Sequence, residues 1–262
     1  MMRSLDIGAT GMLAQQLNVD VTSQNIANMT TTGYKRNRPE FKDLMYQNII
    51  RPGATSSDSG TIVPSGLQLG LGVKAGAVYR VHEQGSLQIT SNPLDLALNG
   101  DGFFQVELPN GETAYTRDGV LQRNQDGDIV TSQGYKVLPG ITIPADATDL
   151  QISTDGIVQV KISGQTALQQ IGQFQLANFI NPPGLEAIGD NLLKETEASG
   201  TPVVANPEST NFASIKQGAV ENSNVNVVEE ITNLITAQRA YEMNSKVIST
   251  SDDMLATITQ LR

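Results

Sequence analysis

Few residues in this 262-residue chain have the types and spacing that enzyme chemistry needs. The chain has no cysteine and one histidine, His82. This excludes disulfides, thiol catalysis, thiolate metal sites and any cluster of histidine ligands. A serine–histidine–carboxylate triad would have to use His82. Because its neighbours in YRVHEQG alternate as in a strand, we interpret His82 as a surface residue.

Carboxylates are more frequent, but their spacing does not match a catalytic or metal site. NQDGD, residues 124–128, has the composition of a calcium loop but lacks the ligand periodicity and closing glutamate of an EF-hand, so we expect a hairpin turn. GLGVKAG, residues 70–76, fits neither the Rossmann nor the P-loop spacing and predicts a turn before a strand. Glu229 and Glu230 lie on a predicted solvated helix face. The sequence therefore predicts no catalytic residue, no cofactor and no metal, in a protein that is not an enzyme.

The net charge of −10, from 27 acidic and 17 basic residues, disfavours nucleic acid and anionic lipid as main partners. We therefore expect the basic cluster YKRNR, residues 34–38, to contact acidic protein surfaces. No run approaches the roughly 18 apolar residues of a membrane span, so we expect no membrane insertion. The first residues lack the apolar core and cleavage site of a secretory signal. We expect a protein that stays in the cytosol or leaves it without a cleaved peptide.

Apolar spacing predicts a helix near the start of the chain. Its seam repeats every 3.5 residues or so, as in a coiled coil, and comprises Leu5, Ala9, Met12, Gln16, Val19, Ser23 and Ile26. Gly8 and Gly11 interrupt this pattern, each at a cost of ~1 kcal/mol relative to alanine. Either the helix begins after them, or they let another backbone approach closely.

A second helix is predicted from about residue 226 to residue 260, where there is no glycine or proline. Asn224 or Asn226 is the expected N-cap. Its seam comprises Val227, Ile231, Leu234, Gln238, Tyr241, Ser245, Ile248 and Leu255. The two helices either cover a globular core or pair with each other as a coiled-coil-like inner domain. One thin seam buries too little apolar surface to order both helices, so we expect neighbouring chains to bury the remaining faces.

Between the helices, turn dipeptides punctuate short apolar or alternating runs and predict several antiparallel strands, in a sandwich or a rolled sheet. Residues 51–66 are rich in Ser, Gly, Pro and Thr and predict an exposed loop or extended arm. The predicted fold class is α+β. Its expected parts are the paired terminal helices (1–32 with 224–262), an extended connecting arm (33–72) and a β-rich outer domain (73–223).

Two stretches carry a resemblance to a known family. GATGMLAQQLNVDVTSQNIANMTTTGYKRNRPEF closely resembles the N-terminal signature of bacterial flagellar axial proteins, the rod and hook proteins. VENSNVNVVEEITNLITAQRAYEMNSKVISTSDDMLATITQLR resembles their C-terminal signature. LALNGDGFFQV and AYTRDGVLQRNQDGDIVTSQGYKVL resemble the core domain that rod and hook proteins share. Length and the connecting arm resemble the distal rod members, with proximal rod or short hook-type proteins as the alternative.

The resemblance implies a structural subunit that polymerises helically into a rigid hollow shaft, transmits torque from motor to hook and conducts exported subunits. It implies export by the flagellar type III apparatus without a cleaved signal, and a place in the periplasmic rod. The implied partners are copies of the chain, proximal rod proteins, the hook protein, the surrounding periplasmic and outer-membrane ring proteins and the export apparatus. A soluble carbohydrate- or calcium-binding β-protein with helical ends is the alternative from a different class.

Under this interpretation, assembly contacts are assigned to residues of both terminal helices and their flanks. They are Leu5, Met12, Gln16, Val19, Asn25, Ile26, Asn28, Ile231, Leu234, Gln238, Arg239, Tyr241 and Ile248. A rod-stiffening role is assigned to the arm residues Tyr46, Arg51, Pro52, Gly53 and Pro64.

Overall fold

Long helices lie at the two ends of the sequence, and the sequence between them forms short strands. The computed structural model describes residues 2–51, 65–164 and 167–260. The helices are α1 (Met2–Ala27) and α2 (Val227–Gln260), and a short 3₁₀ helix spans Pro182–Gly184. The strands before residue 100 are β1 (Asn37–Asp43), β2 (Tyr46–Ile50), β3 (Leu67–Gly70), β4 (Val73–Arg80), β5 (Leu87–Ile89) and β6 (Leu96–Asn99).

The later strands are short and closely spaced. They are β7 (Phe103–Glu107), β8 (Thr113–Thr116), β9 (Leu121–Arg123), β10 (Ile129–Thr131), β11 (Lys136–Val137), β12 (Ala147–Ile152), β13 (Ile157–Ile162), β14 (Leu168–Gln173), β15 (Leu176–Asn178), β16 (Glu186–Gly189), β17 (Leu192–Lys194), β18 (Val203–Ala205), β19 (Ser214–Gln217) and β20 (Ala219–Glu221). The chain divides into two compact units. Unit 1 takes the described residues of Met1–Ile26, Asn37–Tyr79 and Asn226–Arg262, and unit 2 takes those of Ala27–Arg36 and Arg80–Val225.

Unit 1 contains the two helices, packed together. The Oδ1 atom of Asn226 accepts a hydrogen bond from Val228 N at 3.2 Å, which caps the first turn of α2 as expected for one of the two candidate asparagines. The Asn226 carbonyl accepts the first helical hydrogen bond, from Glu230 N. The predicted extent of the second helix is therefore confirmed.

Unit 1 also contains an antiparallel β-ribbon. Strand β1 pairs with β4, and β2 pairs with β3 with Tyr46 opposite Gly70. Hydrogen bonds from Leu44 N to Gly72 O (2.9 Å) and from Leu71 N to Met45 O (3.2 Å) make the two ladders continuous. The chain thus runs outward along β1 and β2, in the segment predicted as an extended arm, and returns along β3 and β4.

Unit 2 is built from antiparallel strands. Its largest sheet has nine strands, with the path β16-β17-β8-β7-β11-β10-β9, and β15 joins β7 to β18. A three-stranded sheet, β12-β13-β14, lies beside it in sequence. The first strands of unit 2 pair with its last, β5 with β20 and β6 with β19, so completion of this unit needs residues that lie more than 100 positions apart.

Two apolar clusters fill unit 2. The larger cluster includes Leu98, Phe104, Leu121, Val158 and Phe174, all fully buried. The smaller one gathers Phe103, Tyr115, Ala177, Phe179, Leu185 and Leu193. The expectation of terminal helices around a β-rich middle is confirmed. The division at residues 32, 72 and 223 stays a prediction about roles in an assembly.

Candidate assembly interface

The two helices of unit 1 pair antiparallel along a seam whose contacts include several small and polar residues, and Ala14, Val21 and Ala237 of these helices are buried as well. Ser251 Oγ donates to Ser4 Oγ at 3.1 Å near one end. Asn25 Nδ2 lies 3.4 Å from Glu230 Oε2 near the other. The residue numbers in each of these contacts sum to 255, which indicates one register along the whole pair.

Gly8 and Gly11 lie on this seam. A Cβ atom at Gly8 would lie 2.9 Å from Ile248 Cγ1, and one at Gly11 would lie 2.8 Å from Asn244 Nδ2. Helix α1 includes both positions, so the late start is wrong, and the close approach at these glycines is made chiefly by side chains of α2.

The contacting positions of α1 precede the predicted seam by one residue. Ser4, Gly8, Gly11 and Asn25 make the contacts, whereas the apolar pattern predicted Leu5, Ala9, Met12 and Ile26. Small side chains allow close helix contact, and the polar ones find partners across the seam. Leu5, Met12 and Ile26, one position later, are half-buried, and their contacts in an assembly stay a prediction. On α2, Ile248 lies on both the predicted and the observed seam.

The predicted interface residues differ in their exposure. Half-buried side chains are Leu5, Met12, Val19, Ile26, Asn28, Leu234 and Ile248. Exposed side chains are Gln16, Ile231, Gln238, Arg239 and Tyr241. Asn25 is buried. Gln16, Val19, Gln238 and Tyr241 come together with Glu242 around one surface groove of unit 1.

Large apolar side chains of both helices face away from the seam. They include Ile7 and Leu13 on α1, and Val228, Ile231, Ile235, Met243, Val247, Met254 and Ile258 on α2. Leu13 is 67% exposed and Val228 is 75% exposed. Exposed apolar residues that form a contiguous patch mark surfaces that contact another protein.

The β-ribbon exposes apolar side chains in the same way. All five residues of β2 are exposed, and Met45, before β2, is 81% exposed. The opposite strand and its continuation expose Leu67, Leu69 and Leu71. Of the predicted arm residues, Tyr46 lies in β2 and Arg51 follows it, both exposed. Pro52, Gly53 and Pro64 lie outside the described residues.

A buried ionic cluster in unit 2 holds the basic stretch that follows α1. Lys35 Nζ lies 2.5 Å from Glu221 Oε1, and Arg117 Nε lies 3.0 Å from Glu221 Oε2. Gly85 N donates to Glu221 Oε1 at 2.9 Å. Burial alone would raise the pKa of Glu221, but the charges of Arg117 and Lys35 lower it below its ordinary value. The expectation that YKRNR contacts other proteins is therefore wrong for Lys35, and sequence reasoning missed Glu221 and Arg117.

His82 is not the surface residue that the sequence predicted. Its ring is edge-on to Phe103 at 5.9 Å, and its Nδ1 atom is buried. Burial, followed by the charges of Lys35, Arg80 and Arg117, lowers the pKa of His82 to about 4. The imidazole is therefore neutral at pH 7.

The other residues considered for chemistry have structural partners. Asp128, in the NQDGD stretch, accepts hydrogen bonds from Thr142 Oγ1 at 2.6 Å and Lys136 Nζ at 2.7 Å, and Asn124 Oδ1 accepts from Asp128 N. This is the predicted hairpin turn, closed by β9 and β10. Residues 2–51, 65–164 and 167–260 contain no group of three or more His, Asp and Glu arranged to hold a metal ion. No described helix has an apolar stretch long enough to cross a bilayer.

Models of three protein families match three separate parts of the chain. Residues 5–35 match "Flagella basal body rod protein" and residues 97–160 match "Flagellar hook protein FlgE/F/G D1 domain". Residues 216–261 match "Flagellar basal body rod FlgEFG protein C-terminal".

Similar proteins match over the whole length. The flagellar basal-body rod protein FlgG of Caulobacter vibrioides is 59% identical over 261 residues, covering 100% of both chains. The proteins of the same name from Buchnera aphidicola and Bacillus subtilis are 50% and 39% identical, again over 100% of each chain. A solved Helicobacter pylori flagellar hook protein, FlgE2, is 16% identical with a TM-score of 0.25 over 71% of this chain and 43% of its own. At 39–59% identity over their full length to proteins of one name, the chain belongs to the flagellar basal-body rod protein family.

Proposed function

We propose that this protein is a structural subunit of the distal rod, which polymerises with copies of itself into a rigid, hollow helical shaft. The shaft transmits torque from motor to hook and conducts exported subunits. Full-length similarity to proteins named for the basal-body rod supports the rod assignment. The chain acts by assembly and not by catalysis.

One observation carries the assembly proposal. Contacts between α1 and α2 include several small and polar residues, whereas many large apolar residues of both helices are exposed. Burying a large aliphatic side chain contributes roughly 1.5–3 kcal/mol. Neighbouring copies that cover Leu13, Ile231, Ile235 and Met243 would therefore supply the apolar burial that the isolated pair lacks.

In this proposal the helices of many copies line the tube and the β-rich unit forms an outer domain, as a sandwich or rolled sheet. The exposed face of the β-ribbon adds contacts to further copies and stiffens the shaft. The rod lies in the periplasm and its subunits are exported without a cleaved signal. Proximal rod proteins, the hook protein, the ring proteins and the export apparatus are the expected partners.

The test is replacement of an outward apolar residue of α2. Ile231→Asp places a charge where a neighbour would cover the helix, and should abolish polymerisation while unit 2 stays folded. Ser249→Asp, at an exposed polar position of the same helix, is the control. Polymer is measured by sedimentation and electron microscopy, and folding by circular dichroism. Rods formed by Ile231→Asp at the normal concentration would contradict the proposal.

A further inference from the structure

Asn25 lies in the last turn of α1 and is 2% exposed. Its side-chain amide pairs with the backbone of Asn37, the first residue of β1. Asn25 Oδ1 accepts from Asn37 N at 2.8 Å, and Asn25 Nδ2 donates to Asn37 O at 2.8 Å. The amide thus makes the same pair of bonds that a neighbouring strand would make.

The second proton on Asn25 Nδ2 points to α2. Glu230 Oε2 accepts from it at 3.4 Å, and the Glu230 side chain is also buried. One side chain therefore joins three segments of unit 1, which are the end of α1, the start of the β-ribbon and the first turn of α2. The amide satisfies the backbone of Asn37 because it supplies both a donor and an acceptor, whereas an ionised carboxylate supplies only acceptors.

The ribbon has a second attachment to α1. Thr10 Oγ1 lies 3.4 Å from Val73 N, and a Cβ at Gly72 would lie 2.2 Å from Thr10 Oγ1. The helix from Thr10 to Asn25 is ~22 Å long. The strand from Asn37 to Leu44, opposite Gly72, is ~23 Å long. The two lengths match, so the first half of the ribbon follows α1 between these two attachments.

We propose that Asn25 is a positioning residue, which sets where the β-ribbon leaves the helix pair. It thereby sets where the exposed apolar half of the ribbon, β2 and β3, meets a neighbouring copy. A strand that slips by one residue presents its opposite face, so an attachment at the first residue of β1 decides which side chains face outward. This inference rests on the proposed function, because it assigns the exposed half of the ribbon to contact between copies.

The test uses assembled protein and the absence of cysteine from the chain. Cysteines replace Ser23 on α1 and Lys42 on β1, both exposed, and carry spin labels. Labelled chains are diluted twentyfold into unlabelled chains, so that the measured distance is within one chain. Asn25→Asp keeps the size of the side chain but loses both donors and sets a second carboxylate beside Glu230. Asn233→Asp, the same change at an exposed position of α2, is the control.

We expect Asn25→Asp to raise the concentration needed for assembly at least tenfold and to broaden the distance distribution at least twofold in the polymers that form. Adding Glu230→Gln to Asn25→Asp should recover part of both effects, because the glutamine amide can donate to the new carboxylate. Exchange of the Asn37 amide should accelerate at least tenfold in Asn25→Asp while amides of unit 2 are unchanged.

A distance distribution like that of the control would overturn the proposal. A broadened distance distribution in Asn25→Asp chains that assemble at the normal concentration would also overturn it, because the attachment would then be irrelevant to contact between copies. These outcomes leave the proposed function intact, since Ile231→Asp tests that function separately.

Discussion

Lys35 and Glu221 form an ion pair with 2.5 Å between Nζ and Oε1, and their side chains are 4% and 1% exposed. They lie 186 positions apart in sequence. Arg117 binds the other carboxylate oxygen and also donates to the carbonyls of Gly100 and Gly102. The pair thus fastens the segment after α1 to the last strand of unit 2, β20.

Glu221→Gln should lower the free energy of unfolding by about 3–5 kcal/mol, because it leaves two buried cations without a counter-charge. Unfolding in urea, followed by circular dichroism, measures the change. Glu112→Gln is the control, since the Lys194–Glu112 pair is largely exposed and its loss should have little effect. Equal stability losses in the two variants would show that the buried cluster has no special role.

His82 should make stability depend on pH between 4 and 6.5. Its pKa is about 4 in the folded chain against an ordinary 6.5, so in this window the unfolded chain binds a proton that the folded chain does not. The free energy of unfolding therefore falls as pH decreases, by roughly 3 kcal/mol in all.

His82→Gln tests this, because His82 is the only histidine. The variant should show no decrease in stability from pH 6.5 to about 5. Glu221, whose pKa is lowered, adds a separate loss below its ordinary value of 4.5 in both proteins. A decrease of the same size in His82→Gln would assign the pH dependence to other groups.

How much the sequence could predict is clear from the helix pair. The apolar period gave two helices with nearly correct bounds, because α2 has no glycine or proline for 34 residues. The period was read on large apolar residues, so it did not point to the contacts that Gly8 and Gly11 make with α2. Exposed apolar residues such as Ile231 carry the same period as buried ones, so spacing alone could not separate them.

The polar sites were missed for a different reason. Glu221 and Lys35 come together only through the pairing of distant strands, and no local pattern marks a carboxylate that will be buried. The burial of His82 could not be predicted for the same reason, since strand-like alternation does not tell which face of the strand is buried. The turns were predictable because NQDGD and similar stretches act locally.

A leucine at Gly8 should destabilise the helix pair by about 1–3 kcal/mol, because its Cβ would already lie 2.9 Å from Ile248 Cγ1. Ala9→Leu adds the same type of side chain one position later, where the surface is exposed, and should be tolerated. Thermal unfolding of helical circular dichroism in assembled protein distinguishes the two. A larger loss of stability in Ala9→Leu than in the position-8 variant would show that position 9, and not position 8, lies against α2.

The β-ribbon should contribute to stiffness through its exposed apolar side chains. Leu69→Ser removes one of them from β3 and should lower contact energy between copies by on the order of 1 kcal/mol per subunit. Polymers of this variant should therefore bend more, measured as a shorter persistence length in electron micrographs. Gln68→Ser, the exposed polar neighbour, should leave the persistence length unchanged. If both variants are as stiff as the original chain, the ribbon does not stiffen the shaft.

Amide hydrogen exchange should separate the two units before assembly. The helices expose many large apolar residues and fully bury few of them, so little burial opposes their opening in a free chain. Unit 2 has its own apolar core and should protect its strands in either state. We therefore expect fast exchange over residues 2–27 and 227–260 in the unassembled chain and slow exchange in sedimented polymer, with residues 96–160 slow in both. If the helices are already protected in a chain that does not assemble, the contacts between α1 and α2 are sufficient to order both helices. The exposed apolar faces would then need a partner other than a second copy.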